Sequence, residues 1–145
     1  MILGIIGSRR RDTRADFELV AAAFRKLSQP GDRIVSGGCS SGADRFAEII
    51  ALELVKPGHY TLDDLWKMDV RMRHHLIKEL GAPIILHHAQ WSTLGRRAGF
   101  VRNGFIARDA DLLIACVAAD RTGGTEDCIG KFLVKGKHKE DIHLV

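Results

Sequence analysis

The stretch Arg33-Ile34-Val35-Ser36-Gly37-Gly38-Cys39-Ser40-Ser41-Gly42-Ala43-Asp44-Arg45 decides the fold. It reads as a short apolar run, a Gly/Ser-rich turn and the opening of a helix. Ala43, Phe46, Ala47, Ile50, Ala51 and Leu54 recur at helical spacing until Lys56-Pro57-Gly58 stops the pattern. Glycines at 37, 38 and 42 let the backbone approach a bulky anion with no Cβ in the way, and Ser40 and Ser41 add hydroxyls for capping and donation. The first amides of the helix have no partner within it, and its dipole favours negative charge there. The turn is therefore expected to hold phosphate at the end of a buried parallel strand.

Working outward, short β-rich runs alternate with amphipathic stretches, the pattern of parallel strands joined by helices. Ile2 to Ile6 is nearly all apolar, as a strand covered on both faces should be, and Gly7-Ser8-Arg9 ends it. Phe17, Leu19, Val20, Ala23, Phe24 and Leu27 predict a helix that stops at Gln29-Pro30-Gly31; Arg33 to Ser36 is the second strand. Leu62, Leu65, Trp66, Met72, Leu76, Ile77 and Leu80 predict one helix with gaps from about Thr61 to Leu80, and Pro83 leads into a third strand reaching His87. Ala98 to Arg108 reads as helical despite Gly99 and Gly104, and Asp111 to Val117 as a fourth strand. Gly123-Gly124-Thr125 opens a helix through Val134, and Ile142 to Val145 makes a short last strand. The expected architecture is a single α/β domain over 1–145, a Rossmann-like three-layer sandwich with a five-stranded parallel sheet. It has right-handed crossovers and an extra helical segment around 56–80.

With 145 residues, 46% of them hydrophobic and 28% charged, the chain can bury a real core as one soluble domain. Its apolar runs are too short to span a bilayer and no basic-then-apolar leader opens it, so a cytoplasmic protein without a membrane partner is expected. Cys39, Cys116 and Cys128 show no CxxC spacing, which argues against a disulfide framework and a thiolate zinc site. The net charge of +4 gathers in Arg9, Arg10, Arg11 and Arg14, in Arg96, Arg97 and Arg102, and in the lysines at 131, 135, 137 and 139. A solvated basic face explains it better than nucleic acid, since neither an aromatic platform nor zinc-finger spacing accompanies it. His74-His75 and His87-His88 invite a metal. Neighbours on a helix point about 100° apart and those on a strand face opposite ways, so at most one of each pair could face a common ion. No metal and no cofactor are expected.

In an open parallel sheet, ligands lie outside the carboxyl ends of the strands, where strand order reverses. Three Gly-containing turns fall at such ends: Gly7-Ser8-Arg9, Gly37 to Gly42, and Gly123-Gly124-Thr125. If the first strand is central, two helix N-termini and Arg9 line one crevice, which suits a phosphate-bearing ligand. Neither GxxxxGK[ST] nor GxGxxG is present, so this is a different Gly-rich variant. Ser8 and Arg9 have little structural reason to sit at the end of a buried strand. Asp44 can bond the ligand, the neighbouring loop amides or its own helix dipole, and Arg45 can reach a phosphate or pair with Glu48 on an exposed face. Trp91 can stack on a base or plug a strand-to-helix junction, and Cys39 can be a reactive thiol or a small residue that fits the turn.

The order GSR, SGGxSxGADRxAE, W...GRxAGxxRN, a strand and GGTxD resembles the SLOG superfamily, in particular its small stand-alone YspA-related members, over nearly the whole chain. The resemblance implies a Rossmann-like fold and a nucleotide or nucleotide-derived ligand. It would be surrounded by Gly7, Ser8, Arg9, Gly37, Gly38, Gly42, Asp44, Arg45, Trp91, Gly95, Ala98, Gly99, Arg102, Asn103, Gly124 and Thr125. The segment around 56–80 departs from the short pattern and reads as a lid, a homodimer surface or a helix that widens the domain. More distantly, lonely-guy phosphoribohydrolases cut the N-glycosidic bond of nucleoside monophosphates with an Arg and a Glu. Arg102 falls where that Arg would be, but Asn103 replaces the following Lys and Cys128 stands at the Glu, with Asp127 one residue earlier. The resemblance thus supports a nucleotide binder acting as sensor or processing protein. N-glycosidic hydrolysis by Arg102 and Asp127 is the alternative, and single-stranded DNA binding, as in the DNA-processing relatives, a weaker one.

Overall fold

A computed structural model describes residues 1–145. Strands β1 (Ile2–Gly7), β2 (Arg33–Ser36), β3 (Ile84–Leu86), β4 (Leu112–Cys116) and β5 (Ile142–Leu144) form one all-parallel sheet in the order β3-β2-β1-β4-β5. The register sets Leu3 beside Ile34 on one side and beside Leu112 on the other. The chain therefore runs outward from β1 to β3, then returns to place β4 on the opposite flank of β1. The strand order reverses between β1 and β4.

Helices α1 (Arg14–Leu27), α2 (Ala43–Val55), α3 (Leu62–Lys67) and α4 (Val70–Leu80) cover one face, where Phe17, Val20, Phe46, Ile49 and Leu65 meet Leu3, Ile5, Ile34 and Ile114. Helices α6 (Ala98–Asp109) and α7 (Gly124–Val134) cover the other, where Ile106, Ile129 and Phe132 meet Ile6, Val35, Leu113 and Ala115. The result is the Rossmann-like three-layer α/β sandwich. A short helix α5 (Trp91–Leu94) and a 3-10 turn at Gly95–Arg97 lead into α6.

The elements differ from the sequence reading by one break and by single residues at several ends; β4, for instance, spans Leu112–Cys116 where Asp111 to Val117 is expected. The helix expected over Thr61 to Leu80 is two helices, because Met68 and Asp69 are extended and the Asp69 carboxylate accepts from the Arg71 amide to start α4 afresh. The third strand ends at Leu86, although the His87 amide still donates to Ser36 O at 2.9 Å. The Leu19 side of α1 is half exposed, so the buried stripe there is Phe17, Val20, Ala21, Ala23 and Phe24.

An ion pair fastens α4 to α2. Glu48 is fully buried, and its Oε2 accepts from Arg73 Nε at 2.6 Å while its Oε1 lies 2.6 Å from His74 Nε2. Arg73, only 2% exposed, also donates from Nη1 to Met68 O at 2.7 Å, and its Nη2 is buried without a partner. Burial pushes the Glu48 carboxyl above the ordinary carboxylate range, against the pull of Arg73 and His74.

Candidate functional site

At the carboxyl ends of β1, β2 and β4 the structure holds a cavity of about 320 Å³ lined by Gly7, Ser8, Arg9, Arg10, Cys39, Ser41, Asp44, Arg102, Asn103 and Thr122 to Thr125, with Ile6, Ile106 and Cys128 as its apolar part. It lies at the point where strand order reverses. A larger cleft of about 880 Å³ sits at the other ends of β2 and β3, between α1, α2 and α3; its walls are mostly apolar, its charged residues are Arg25, Asp32 and Glu53, and the one helix start on it, Leu62 of α3, is already capped by Thr61. The smaller cavity is the one lined by three arginines, Arg9, Arg10 and Arg102, together with the first turns of two helices.

Its helix starts differ from those of α1, α3 and α4, and share with α5 and α6 the lack of a side-chain cap. Thr13 caps α1, Thr61 caps α3 and Asp69 caps α4, each by a side chain accepting from a first-turn amide. Gly42 caps α2 and Gly123 caps α7, and neither supplies a side-chain bond. The first-turn amides of α2 and α7 are thus left free at the cavity. Gly42 has φ +70°, and a Cβ there would stand 2.9 Å from Ser8 O, so the α2 start is pressed against the β1 turn in a conformation suited to glycine.

The arginines divide by partner. Arg10 is bidentate to Asp120 at 2.7 and 2.9 Å, Arg11 pairs with Asp16 at 2.8 Å, and Arg14 pairs with Asp63 at 2.6 Å. Arg9 has no carboxylate partner within 4 Å and lines the cavity. Arg102 enters from α6, 13% exposed, with its Nη1 3.1 Å from Cys39 Sγ, 3.4 Å from Gly37 O and 3.9 Å from Asp44 Oδ2. Its Nε is buried without a partner. Two guanidiniums with unspent donors therefore meet at Cys39, since Arg9 Nη2 lies 3.5 Å from the same sulfur.

Asp44 turns out to serve the loop. Its Oδ1 accepts from the Ser36 hydroxyl at 2.8 Å and its Oδ2 from the Cys39 amide at 3.0 Å, which fixes the turn after β2. Arg45 points away from the cavity: it pairs with Asp12 at 3.3 Å, donates to Trp66 O and lies 4.0 Å above the Trp66 ring. Its suggested partner Glu48 is buried and taken by Arg73, so that pairing does not form. Gly37, Gly38, Ser40 and Gly42 form the turn behind the cavity lining.

Asn103 and Asp127 are brought together. Asn103 Nδ2 donates to Asp127 Oδ2 at 3.0 Å and to Gly124 O at 3.1 Å, and Lys131 Nζ lies 2.8 Å from the same carboxylate oxygen. Asn103 thereby ties α6 to the start of α7, and Asp127 lies outside the cavity lining. Trp91 also lies outside it, 53% exposed, with its ring over Gly99. Phe100, Val101 and Phe105 are the exposed large apolar residues of α6, and Met72 that of α4.

Sequence reasoning missed Asp12, which accepts from the Gly42 amide at 2.9 Å and pairs with Arg45, joining the β1 and β2 turns. Its signal was a loop carboxylate directly after a basic run. Of the thiols, Cys116 is pushed up to about 11 and Cys128 to about 12 by burial, while Cys39 is half-buried at the cavity; none forms a disulfide. No cluster of His, Cys, Asp and Glu is arranged to hold a metal ion.

Comparison with protein-family models, curated proteins and solved structures gives no match to this chain. The resemblance to the SLOG superfamily accordingly stands on the sequence motifs alone. No helix is long and apolar enough to cross a membrane.

Proposed function

We propose that the chain binds a nucleotide or phosphorylated nucleoside derivative in the cavity at the ends of β1, β2 and β4, as a sensor or processing protein of SLOG type. One observation carries this reading. The starts of α2 and α7, both without side-chain caps, converge with two guanidiniums, Arg9 and Arg102, that have no hydrogen-bonded carboxylate. Backbone amides and arginines are the donors that phosphate oxygens use. A volume of about 320 Å³ is at the small end of ligand pockets and suits one mononucleotide better than a dinucleotide or a strand. Gly7, Ser8, Ser41 and Gly123 to Thr125 line the anion end, and Ile6 and Ile106 the apolar wall.

N-glycosidic hydrolysis has less support. It needs a carboxylate near the sugar, yet Asp127 is held by Asn103 and Lys131, and Asp44 by the loop. Three free thiols, two of them deeply buried, suit a reducing cytoplasm. The test is a thermal-shift panel of nucleoside monophosphates, ADP-ribose, cyclic nucleotides and short oligonucleotides, with each hit incubated and assayed for free base. A ligand at a hundred times its Kd stabilises a fold by about 2.7 kcal/mol. Stabilisation by a mononucleotide without base release is expected; base release would favour the hydrolase, and no stabilisation by any phosphate compound would sink the binding reading.

A further inference from the structure

Helix α4 belongs to the segment that the short family pattern lacks, and it reaches the cavity loop from behind. Buried Glu48 holds His74 of α4 through Oε1 at 2.6 Å. The His74 ring meets His88 edge to face, with 5.1 Å between centroids. His88 in turn lies against Gly38: a Cβ at that glycine would stand 2.8 Å from both Cε1 and Nδ1 of the imidazole. A chain of contacts therefore runs from a fully buried carboxylate, through two imidazoles, to the turn that carries Cys39 and receives Arg102 at Gly37 O.

We propose that His88, seated by His74, is a positioning residue for the Gly37–Cys39 turn, and that an anion entering the cavity draws a proton onto the His88 imidazole. The proposal rests on reading the cavity as an anion site. His88 is exposed along its outer edge, but burial of the ring against its neighbours depresses its pKa below the ordinary histidine value. The charges of His74 and Arg102 add to that depression, Asp44 of α2 opposes it, and His87 lowers it slightly. An anion beside Arg102 cancels part of the guanidinium field, so the proton is held more readily. By reciprocal linkage, the anion binds more tightly as pH falls through the histidine range. Glu48 on the far side of His74 holds that ring in place against His88.

The experiment is an NMR titration of isotope-labelled protein between about pH 8 and pH 5.5, with and without sulfate, an anion that does not itself titrate there. The Gly38 and Cys39 amide shifts are expected to follow the His88 imidazole titration, and sulfate to raise its midpoint. Sulfate affinity is expected to rise about threefold across the range, the equivalent of half a pK unit. In His88→Gln sulfate still binds but the pH dependence is lost, and in His74→Gln it is reduced. Amides at 38 and 39 that ignore His88, or an unchanged pH dependence in His88→Gln, would overturn the proposal. If those amides follow His88 while sulfate and AMP both fail to bind, the cavity reading and the anion linkage fall and the positioning role stands.

Discussion

Nη1 of Arg102 stands 3.1 Å from Sγ of Cys39, and the nearest carboxylate, Asp44, is too far at 3.9 Å to share a hydrogen bond with it. A guanidinium so placed, with its Nε buried and unpartnered, has little to lose in stability and much to offer an anion. Arg102→Ala is expected to weaken AMP binding about ten- to a hundredfold, the loss of one charge-assisted contact of about 1.5–3 kcal/mol. Its melting temperature should stay within about 2 °C of the parent. Calorimetric titration with AMP checks this, and unaltered affinity would remove Arg102 from the site.

Cys39 is the thiol at the cavity, whereas Cys116 and Cys128 are fully buried and their pKa values are raised to about 11 and about 12. Iodoacetamide at neutral pH should therefore modify Cys39 first and leave the other two until the protein unfolds. AMP should slow that modification by covering the cavity. Peptide mass spectrometry with and without AMP reads both effects, and equal labelling of all three thiols in the folded protein would contradict them.

Asp44 gathers the Ser36 hydroxyl and the Cys39 amide at 2.8 and 3.0 Å. Asp44→Ala leaves the Cys39 amide without its acceptor, while the Ser36 hydroxyl can still turn to Ile5 O at 3.0 Å, and is expected to cost about 1–3 kcal/mol of folding stability, with a weaker AMP site as the turn loosens. Asp44→Asn keeps one acceptor oxygen and should recover part of the loss. Denaturant melts of the two variants test the ordering, and an alanine variant as stable as the parent would show that the turn holds without this carboxylate.

Arg73→Met removes the main partner of buried Glu48 and is expected to cost about 3–5 kcal/mol at neutral pH. The sign of the pH effect follows from the raised pKa of Glu48. A carboxyl whose folded pKa lies above its unfolded value binds more protons when folded, so its contribution to stability falls as pH rises from the unfolded pKa to the folded one and then levels off. Losing Arg73 extends that window upward, so the variant should lose less stability near pH 5 than near pH 8. Melting curves at both pH values decide it, and an equal deficit at each would mean that Glu48 is not the group left uncompensated.

The sheet and its Gly-rich turns were legible because β1 and β4 are continuous apolar runs, Gly7 and Gly37 mark the ends of β1 and β2, and Gly123 marks the start of α7. The break between α3 and α4 was hidden by apolar residues that keep helical phase across it; the signal lay in Asp69, a capping residue inside an apparent helix. Glu48 was assigned to an exposed face because α2 was read alone. Its burial comes from α4, whose Arg73 lies 25 residues away, and sequence spacing cannot announce such a partner. Asp127 looked catalytic by position in a motif, whereas its bonds to Asn103 and Lys131 depend on how α6 and α7 dock. Residues whose role is set by their own turn were readable; those set by a distant element were not.

The register of β1 bears on how the molecule is made. β1 meets β2 after one crossover, but its other flank waits for β4, so that Leu3 finds Leu112 only after most of the chain exists. Closing so long a loop comes late in folding because its entropy must be met before the pairing repays it. The α2 start, Arg9 and Cys39 belong to the early half, and Arg102 and the α7 start to the late half. Neither half carries the cavity by itself, so its walls are complete only once β4, α6 and α7 have docked on the early half.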